Sequence, residues 1–362
     1  MNLDRRKFLQ LSAAAAAVPL LQACSGPDKF ADTAVPRSAF DEDSTAEAVT
    51  AGIDLTGKVA VVTGCNSGIG FETMRVLALR GALVIGTGRT IEKAQAACEK
   101  VIGVTIPVAL ELSDFDSIVA CADSVRSLHT PIDMLICNAG MRGSDLEQVN
   151  GIEKHFAVNH LGHFLLVNRL IDRMYYADQG RVVVVGSRAA YRTAPEVGIE
   201  FDNIGGENDY SAGRAYGHSK LANHLFSLEL ARLLKGSRIT SNSLHPGLID
   251  TNITRRLPRL MRGAWSAFTS VKGKTIAEGA ATSCFVATSP LLNETSGAYF
   301  EDCNAVTVSG DHHLDDRQMA SRLWQLSETL VGDYYIHQSE PDPSDLKRGF
   351  RTPGAQLQGN HS

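Results

Sequence analysis

Lys58-Val-Ala-Val-Val-Thr63-Gly64-Cys65-Asn66-Ser67-Gly68-Ile69-Gly70 is the stretch on which the fold turns. Its first half is a β-branched apolar run, the composition of a strand buried on both faces. Its second half places glycines at 64, 68 and 70, and a helical period follows through Leu79. A strand, a glycine-rich turn and a helix in that order let backbone approach a pyrophosphate at a helix N-terminus, where N–H donors and the helix dipole attract negative charge. The spacing is Gly-x-x-x-Gly-x-Gly, and a tight turn without a ligand would use the same residues.

The alternation continues downstream. Leu83–Thr87, Val104–Leu110, Asp133–Cys137, Arg181–Gly186 and Arg238–Leu244 read as further short strands. Helical patterns lie between them over 91–100, 114–127 and 151–176, and the helix carrying Tyr216 runs to about Leu234. Strands alternating with helices predict a doubly wound parallel α/β sheet, a Rossmann fold, in a single domain over 53–337. Residues 25–52 are rich in Ala, Asp, Ser and Thr and read as a flexible linker; residues 338–362 are polar and read as a disordered tail.

Net charge is −5 with no long basic run, so there is no nucleic-acid footprint. No Cys-x-x-Cys pair occurs, and the six cysteines beyond Cys24 read as buried thiols in a chain that folds under reducing conditions. Asp311-His312-His313-Leu314-Asp315-Asp316 resembles a ligand cluster, but contiguous ligands before a helix read as a solvated cap, and no metal is expected. His160 and His163 read as locally bonded or packed, and His218 as pointing away from its neighbours Tyr216 and Lys220.

Tyr216-Gly-His-Ser-Lys220 sets a phenol and an ammonium four residues apart on one helix face. A phenol with an ordinary pKa near 10 needs a shift of roughly three units to act near neutrality. A lysine charge about 4 Å away supplies a term of that size. The expectation is therefore that Lys220 lowers the pKa of Tyr216.

Taken together, these motifs resemble the short-chain dehydrogenase/reductase family over about residues 55–331. The resemblance rests on the glycine turn, Glu111-Leu112, Cys137-Asn138-Ala139-Gly140, Asn159 in Val-Asn-His-Leu-Gly-His-Phe, Ser187, Tyr216-x-x-x-Lys220 and His245-Pro246-Gly247-x-x-x-Thr251. The chain is most similar to the retinol-dehydrogenase and WW-domain-oxidoreductase branch. That resemblance implies interconversion of an alcohol and a carbonyl, of a lipophilic compound by branch. It implies Tyr216 as proton donor or acceptor, Lys220 on the nicotinamide ribose, Ser187 on the substrate oxygen and Asn159 holding a relay water. It assigns Gly64, Asn66, Ser67, Gly68, Ile69, Gly70, Glu111, Leu112, Asn138, Ala139, Gly140, Pro246, Gly247 and Thr251 to the nucleotide, with Asn138 as much structural as functional. A homo-oligomer is compatible with it.

The end of the second strand reads Gly86-Thr87-Gly88-Arg89-Thr90, with no acid for ribose hydroxyls and an arginine that can pair with a 2′-phosphate. NADP(H) is expected over NAD(H); Arg89 stacked on adenine without discriminating is the alternative. The segment from Arg188 to Arg214 is longer than in short members of the family and is expected to form a flap. Arg256–Val271 is expected to form a substrate lid or a dimer surface.

Asp4-Arg5-Arg6-Lys7-Phe8-Leu9-Gln10 resembles a twin-arginine export signal, and Leu21-Gln22-Ala23-Cys24 resembles a lipobox. Residues 1–24 then read as a signal peptide handled by the twin-arginine machinery. The protein is expected to be periplasmic or anchored by a lipid at Cys24, the alternative being an ordinary cleaved signal. Export motivates a second functional reading, a cofactor-binding scaffold or redox sensor with little turnover.

Overall fold

The computed structural model describes residues 29–249, 273–310 and 312–335. Thr251, Cys24, the export motif, the lid segment 256–271 and the tail from 338 lie outside the described residues. In chain order the elements are β1 (Lys29–Ala31), α1 (Ala46–Val49), β2 (Val59–Val62), α2 (Gly68–Leu79), β3 (Leu83–Gly88), α3 (Ile91–Cys98), β4 (Val104–Ala109), α4 (Phe115–Arg126) and β5 (Met134–Cys137). A small hairpin follows, β6 (Gln148–Val149) and β7 (Ile152–Glu153), and then a π-helical turn over Phe156–Leu161 leads into α5 (Gly162–Met174). The chain continues through β8 (Gly180–Val185), α6 (Ala189–Arg192), α7 (Ala212–Leu233) and β9 (Ile239–His245). It closes with α8 (Ile276–Thr288), β10 (Tyr299–Glu301), β11 (Asn304–Val308) and α9 (Arg317–Val331).

The main sheet runs β1-β11-β10-β9-β8-β5-β2-β3-β4. It is parallel from β10 to β4, while β11 is antiparallel to both its neighbours. The order reverses between β2 and β5, which makes their carboxyl ends the crevice in which an open α/β sheet binds ligands. β2 explains why helices cover both faces. Val59 and Val61 enter one core with Phe156, Phe164 and Phe226, whereas Ala60 and Val62 enter the other with Met74, Leu77 and Phe285. Alternating strand side chains that are all apolar require two packed layers.

Three expectations need correction. The stretch read as a linker is packed from Lys29 onward: β1 pairs with β11, Ala46 and Val49 are buried in the second core, and Ser38 N–H donates to Asn304 Oδ1 at 3.0 Å. Its polar composition hid the two apolar residues of a single helical turn. The helix expected over 151–176 is instead hairpin, π turn and α5. Asn150 and Gly151 both have left-handed φ, +51° and +76°, which is the two-residue turn that Asn-Gly favours. Strands β10 and β11 were not expected at all; they are short, and Glu301 and Asn304 break the apolar pattern.

Candidate active site

The glycine turn closes onto the end of β5. Gly64 has φ +74°, and a Cβ there would lie 3.0 Å from Ala139 Cβ. A Cβ on Gly70 would fall 2.3 Å from Asn138 Nδ2 and 2.4 Å from Gly64 O. Asn138 Nδ2 donates to Thr63 O at 2.8 Å, and the Asn138 and Ala139 N–H groups both donate to Thr63 Oγ1 at 2.9 Å. Asn138 is therefore a tie between two strand ends. Ser67 precedes α2 and makes no side-chain cap, and no acidic residue lies in the first turn, so that helix end keeps its donors for an outside acceptor. A bound dinucleotide's pyrophosphate fits this cradle. Asn66 is exposed and Ile69 half-buried beside it.

Other nucleotide residues fare differently. Arg89 is exposed where β3 ends. Glu111 Oε1 already accepts from Ser113 N–H and Oγ at 3.1 and 2.8 Å, and Leu112 is a core residue against α5. Pro246 and Gly247 follow β9 directly, and Gly247 has φ +104°.

Tyr216, Ser187, Lys220 and Asn159 come from three places. Tyr216 and Lys220 are on α7, Ser187 follows β8, and Asn159 sits in the π turn. The Ser187 side chain lies against the Tyr216 phenol, close enough to lower its pKa. Lys220 Nζ lies 5.9 Å from the phenol ring centre and donates to Val185 O at 2.9 Å. A Cβ on Gly140 would stand 3.3 Å from Asn159 Oδ1 and 3.7 Å from Lys220 Nζ, so Gly140 lies where these two groups converge. The Asn159 carboxamide is held by Met141, accepting from its N–H at 2.8 Å and donating to its carbonyl at 3.1 Å.

The electrostatics correct one expectation. Burial raises the Tyr216 pKa above its ordinary value, opposed by the charge of Arg142 and the hydrogen bond from Ser187. Lys220 is not among the causes. Its own ammonium is pushed down to about 8 by burial. The Lys220 ammonium stands 5.9 Å from the ring centre and is engaged by a β8 carbonyl, that of Val185. In this state Tyr216 is a protonated phenol at neutral pH.

Sequence reasoning missed Arg142, whose guanidinium carbon lies 5.2 Å from the Tyr216 ring centre. Its only signal was its place directly after Asn138-Ala139-Gly140-Met141. It undervalued His163. Nδ1 of that ring donates to Asn159 O at 3.0 Å, as a carbonyl accepts, so Nε2 accepts from Thr63 Oγ1 at 2.9 Å. One imidazole thus ties the glycine turn to the π turn, and burial lowers its pKa to about 4. His160 packs among Phe156, Phe164 and Phe226 with Nε2 on Ser327 Oγ, and His218 Nε2 accepts from Glu200 N–H, as the sequence reading had them. His312 and His313 bond to the carbonyls of Val308 and Glu196, and Asp316 caps α9. The Arg188–Arg214 segment packs beside the site, with Tyr210 Oη donating to Asp145 O at 2.9 Å. All six described cysteines are free and buried.

Residues 58–199 match the model of the short chain dehydrogenase family. The chain is 40% identical to short-chain dehydrogenase TIC 32 A, chloroplastic, of Brassica napus, over 82% of this chain and 95% of that protein. It is 40% identical to retinol dehydrogenase 11 of Mus musculus, over 78% of this chain and 89% of that one. Among solved structures, an uncharacterized protein from Mycobacterium Paratuberculosis matches with a TM-score of 0.63 at 30% identity, covering 78% of this chain and 96% of the other.

Proposed function

Because this chain belongs to the short-chain dehydrogenase/reductase family and is an oxidoreductase, we propose that it interconverts an alcohol and a carbonyl with NADP(H) at the Tyr216 site. The observation that carries the proposal is the pair of hydroxyls, Ser187 and Tyr216, brought together at the carboxyl ends of the strands beside the glycine cradle. Nicotinamide, when bound, supplies or takes up hydride. Ser187 holds the substrate oxygen, and Tyr216 gives it a proton in reduction or removes one in oxidation. Asn159, positioned by the π turn, connects Lys220 toward solvent, and Lys220 orients the ribose.

Arg89 supports the choice of the phosphorylated cofactor, since no acid stands at the end of β3 and a guanidinium recognises phosphate in a bidentate manner. Likeness to retinol dehydrogenases supports a lipophilic substrate. The motif at Asp4–Gln10 supports export of the folded protein, with its cofactor carried along, and Cys24 supports a lipid anchor. No helix among the described residues is long and apolar enough to cross a membrane. The test is turnover of a carbonyl and alcohol panel with NADPH and NADH, comparing Tyr216→Phe. Loss of about 10³-fold in kcat/KM is expected for removing a general acid. Unchanged activity in Tyr216→Phe would overturn the mechanism; bound nucleotide without turnover would favour the scaffold reading.

A further inference from the structure

We propose that Arg142 is a second cation, beside Lys220, that tunes Tyr216, its guanidinium lying over the phenol ring so as to stabilise the tyrosinate needed for alcohol oxidation. The inference rests on the proton-transfer reading of Tyr216 given above. Arg142 lies nearer the ring than Lys220, at 5.2 against 5.9 Å from its centre, and the Lys220 ammonium is engaged by Val185 O. Among the described residues, no carboxylate pairs with Arg142.

The loop presents Arg142 in a held position. On one side Met141 exchanges two hydrogen bonds with the Asn159 carboxamide, at 2.8 and 3.1 Å. On the other, Gly143 N–H donates to His155 Nε2 at 2.8 Å. That bond makes Nε2 an acceptor, so the His155 proton is on Nδ1, donated to Glu153 Oε1 at 2.6 Å. His155 and Glu153 are 1% and 3% exposed. Burial pushes the Glu153 carboxyl up, but the hydrogen bonds from His155 and from the N–H of Phe156 hold it below its ordinary value. Asn159 on one side and the His155–Glu153 pair on the other therefore fix the loop around the arginine.

The groups facing the phenol are few. Ser187 comes from the end of β8 and is neutral. The His155 ring lies 6.1 Å away, with Glu153 behind it. Lys220 is on the same helix. Arg142 is thus nearer the ring centre than Lys220, and a cation over an aromatic face favours phenolate over phenol. Arg142 acts through Tyr216 and is a positioning residue in that sense.

The sign is direct. Without the guanidinium the Tyr216 pKa rises, so oxidation, which needs the phenolate, requires a higher pH. Arg142→Met should move the rising limb of kcat/KM for alcohol oxidation upward by about one pH unit. The falling limb for carbonyl reduction should move in the same direction, and Arg142→Lys should recover most of the shift. A second readout needs no turnover: in cofactor-free protein labelled with ζ-13C-tyrosine, the Tyr216 resonance (assigned as the one lost in Tyr216→Phe) should titrate at higher pH in Arg142→Met.

Unmoved kinetic limbs together with an unmoved resonance would overturn the inference. So would a rise in KM confined to acidic substrates with unmoved limbs, which would make Arg142 a substrate anchor. If wild type turns over no alcohol or carbonyl, the proposed activity fails by itself, and the tyrosine titration still decides the role of Arg142. Should Arg142→Met fold poorly by circular dichroism, Arg142→Gln takes its place.

Discussion

Lys220 and Glu301 are both buried charges, each 2% exposed, and the fold treats them in opposite ways. Lys220 donates to one backbone carbonyl, no described carboxylate is paired with it, and burial pushes it down to about 8. Glu301 is surrounded. Lys29 and Arg188 form ion pairs with Oε2 at 2.5 and 2.7 Å, and the hydroxyls of Tyr191 and Tyr299 donate to Oε1 at 2.8 and 3.1 Å. Burial alone would push this carboxyl up, but the hydrogen bonds from Arg188 and Lys29 and the charge of Arg188 hold it at about 2. One charge is saturated and ties β1 and the Ser187–Arg188 turn to β10. The other is left under-compensated beside Tyr216. A charge that must respond to substrate and cofactor cannot be saturated in advance; a structural one must be.

Acid should break this arrangement most completely. His160, His163, His218, His224 and His245 are buried, and burial lowers their pKa values to between about 3 and 4. Both ring nitrogens of His245 lack a hydrogen-bond partner. These rings stay neutral in the fold while the unfolded chain protonates, so stability falls as pH drops below about 6.5 toward the folded values. Each ring costs up to about 3 kcal/mol by pH 4, so far-ultraviolet circular dichroism should show cooperative unfolding between about pH 6 and 4. A protein intact at pH 4 would contradict the buried neutral assignments.

Glu301→Ala comes next. It leaves Arg188 and Lys29 without their buried counter-charge and should cost about 3–5 kcal/mol in urea unfolding. In wild type the depressed carboxyl adds stability of about 3 kcal/mol above pH 4.5, lost as pH falls toward 2.

Lys220→Met should have the opposite sign. Because the folded pKa is depressed from 10.5 to about 8, the charged form is penalised at neutral pH. The variant should be inactive yet about 1–3 kcal/mol more stable, the loss of the Val185 bond offsetting part of the gain. In wild type, stability should rise with pH between 8 and 10.5 as the native ammonium is released first. A destabilised Lys220→Met would place Lys220 with Glu301 as a structural charge.

The smallest effect concerns the exposed end of β3. Arg89→Ala should lower the NADPH-over-NADH ratio of kcat/KM by about tenfold, with little change in stability. An unchanged ratio would mean that Arg89 does not discriminate.

The glycine turn, the strand alternation and the Tyr216–Lys220 pair were legible because each depends on neighbours a few residues apart. The π turn and the hairpin before it were not read, although Asn150-Gly151 carried a local signal for the hairpin. The Lys220 partner was not legible, since Val185 O belongs to a strand thirty-five residues away. Neither was the contact of Thr63 with His163, which spans a hundred residues. Arg142 had no pattern to mark it; only the fold brings it over a ring seventy-four residues downstream.

Resemblance to the family picked out the hydroxyls that face each other; by itself, then, the sequence determined the doubly wound sheet and the open helix end for a pyrophosphate. Those follow from periodicity and from backbone sterics, which act locally. The tertiary structure decided the electrostatics: that Tyr216 is a protonated phenol, that Lys220 is a desolvated ammonium tied to Val185, and that Arg142 is the nearest cation to the ring. The physical reason is that a pKa depends on burial and on distances between charges, and both are set only when distant segments pack.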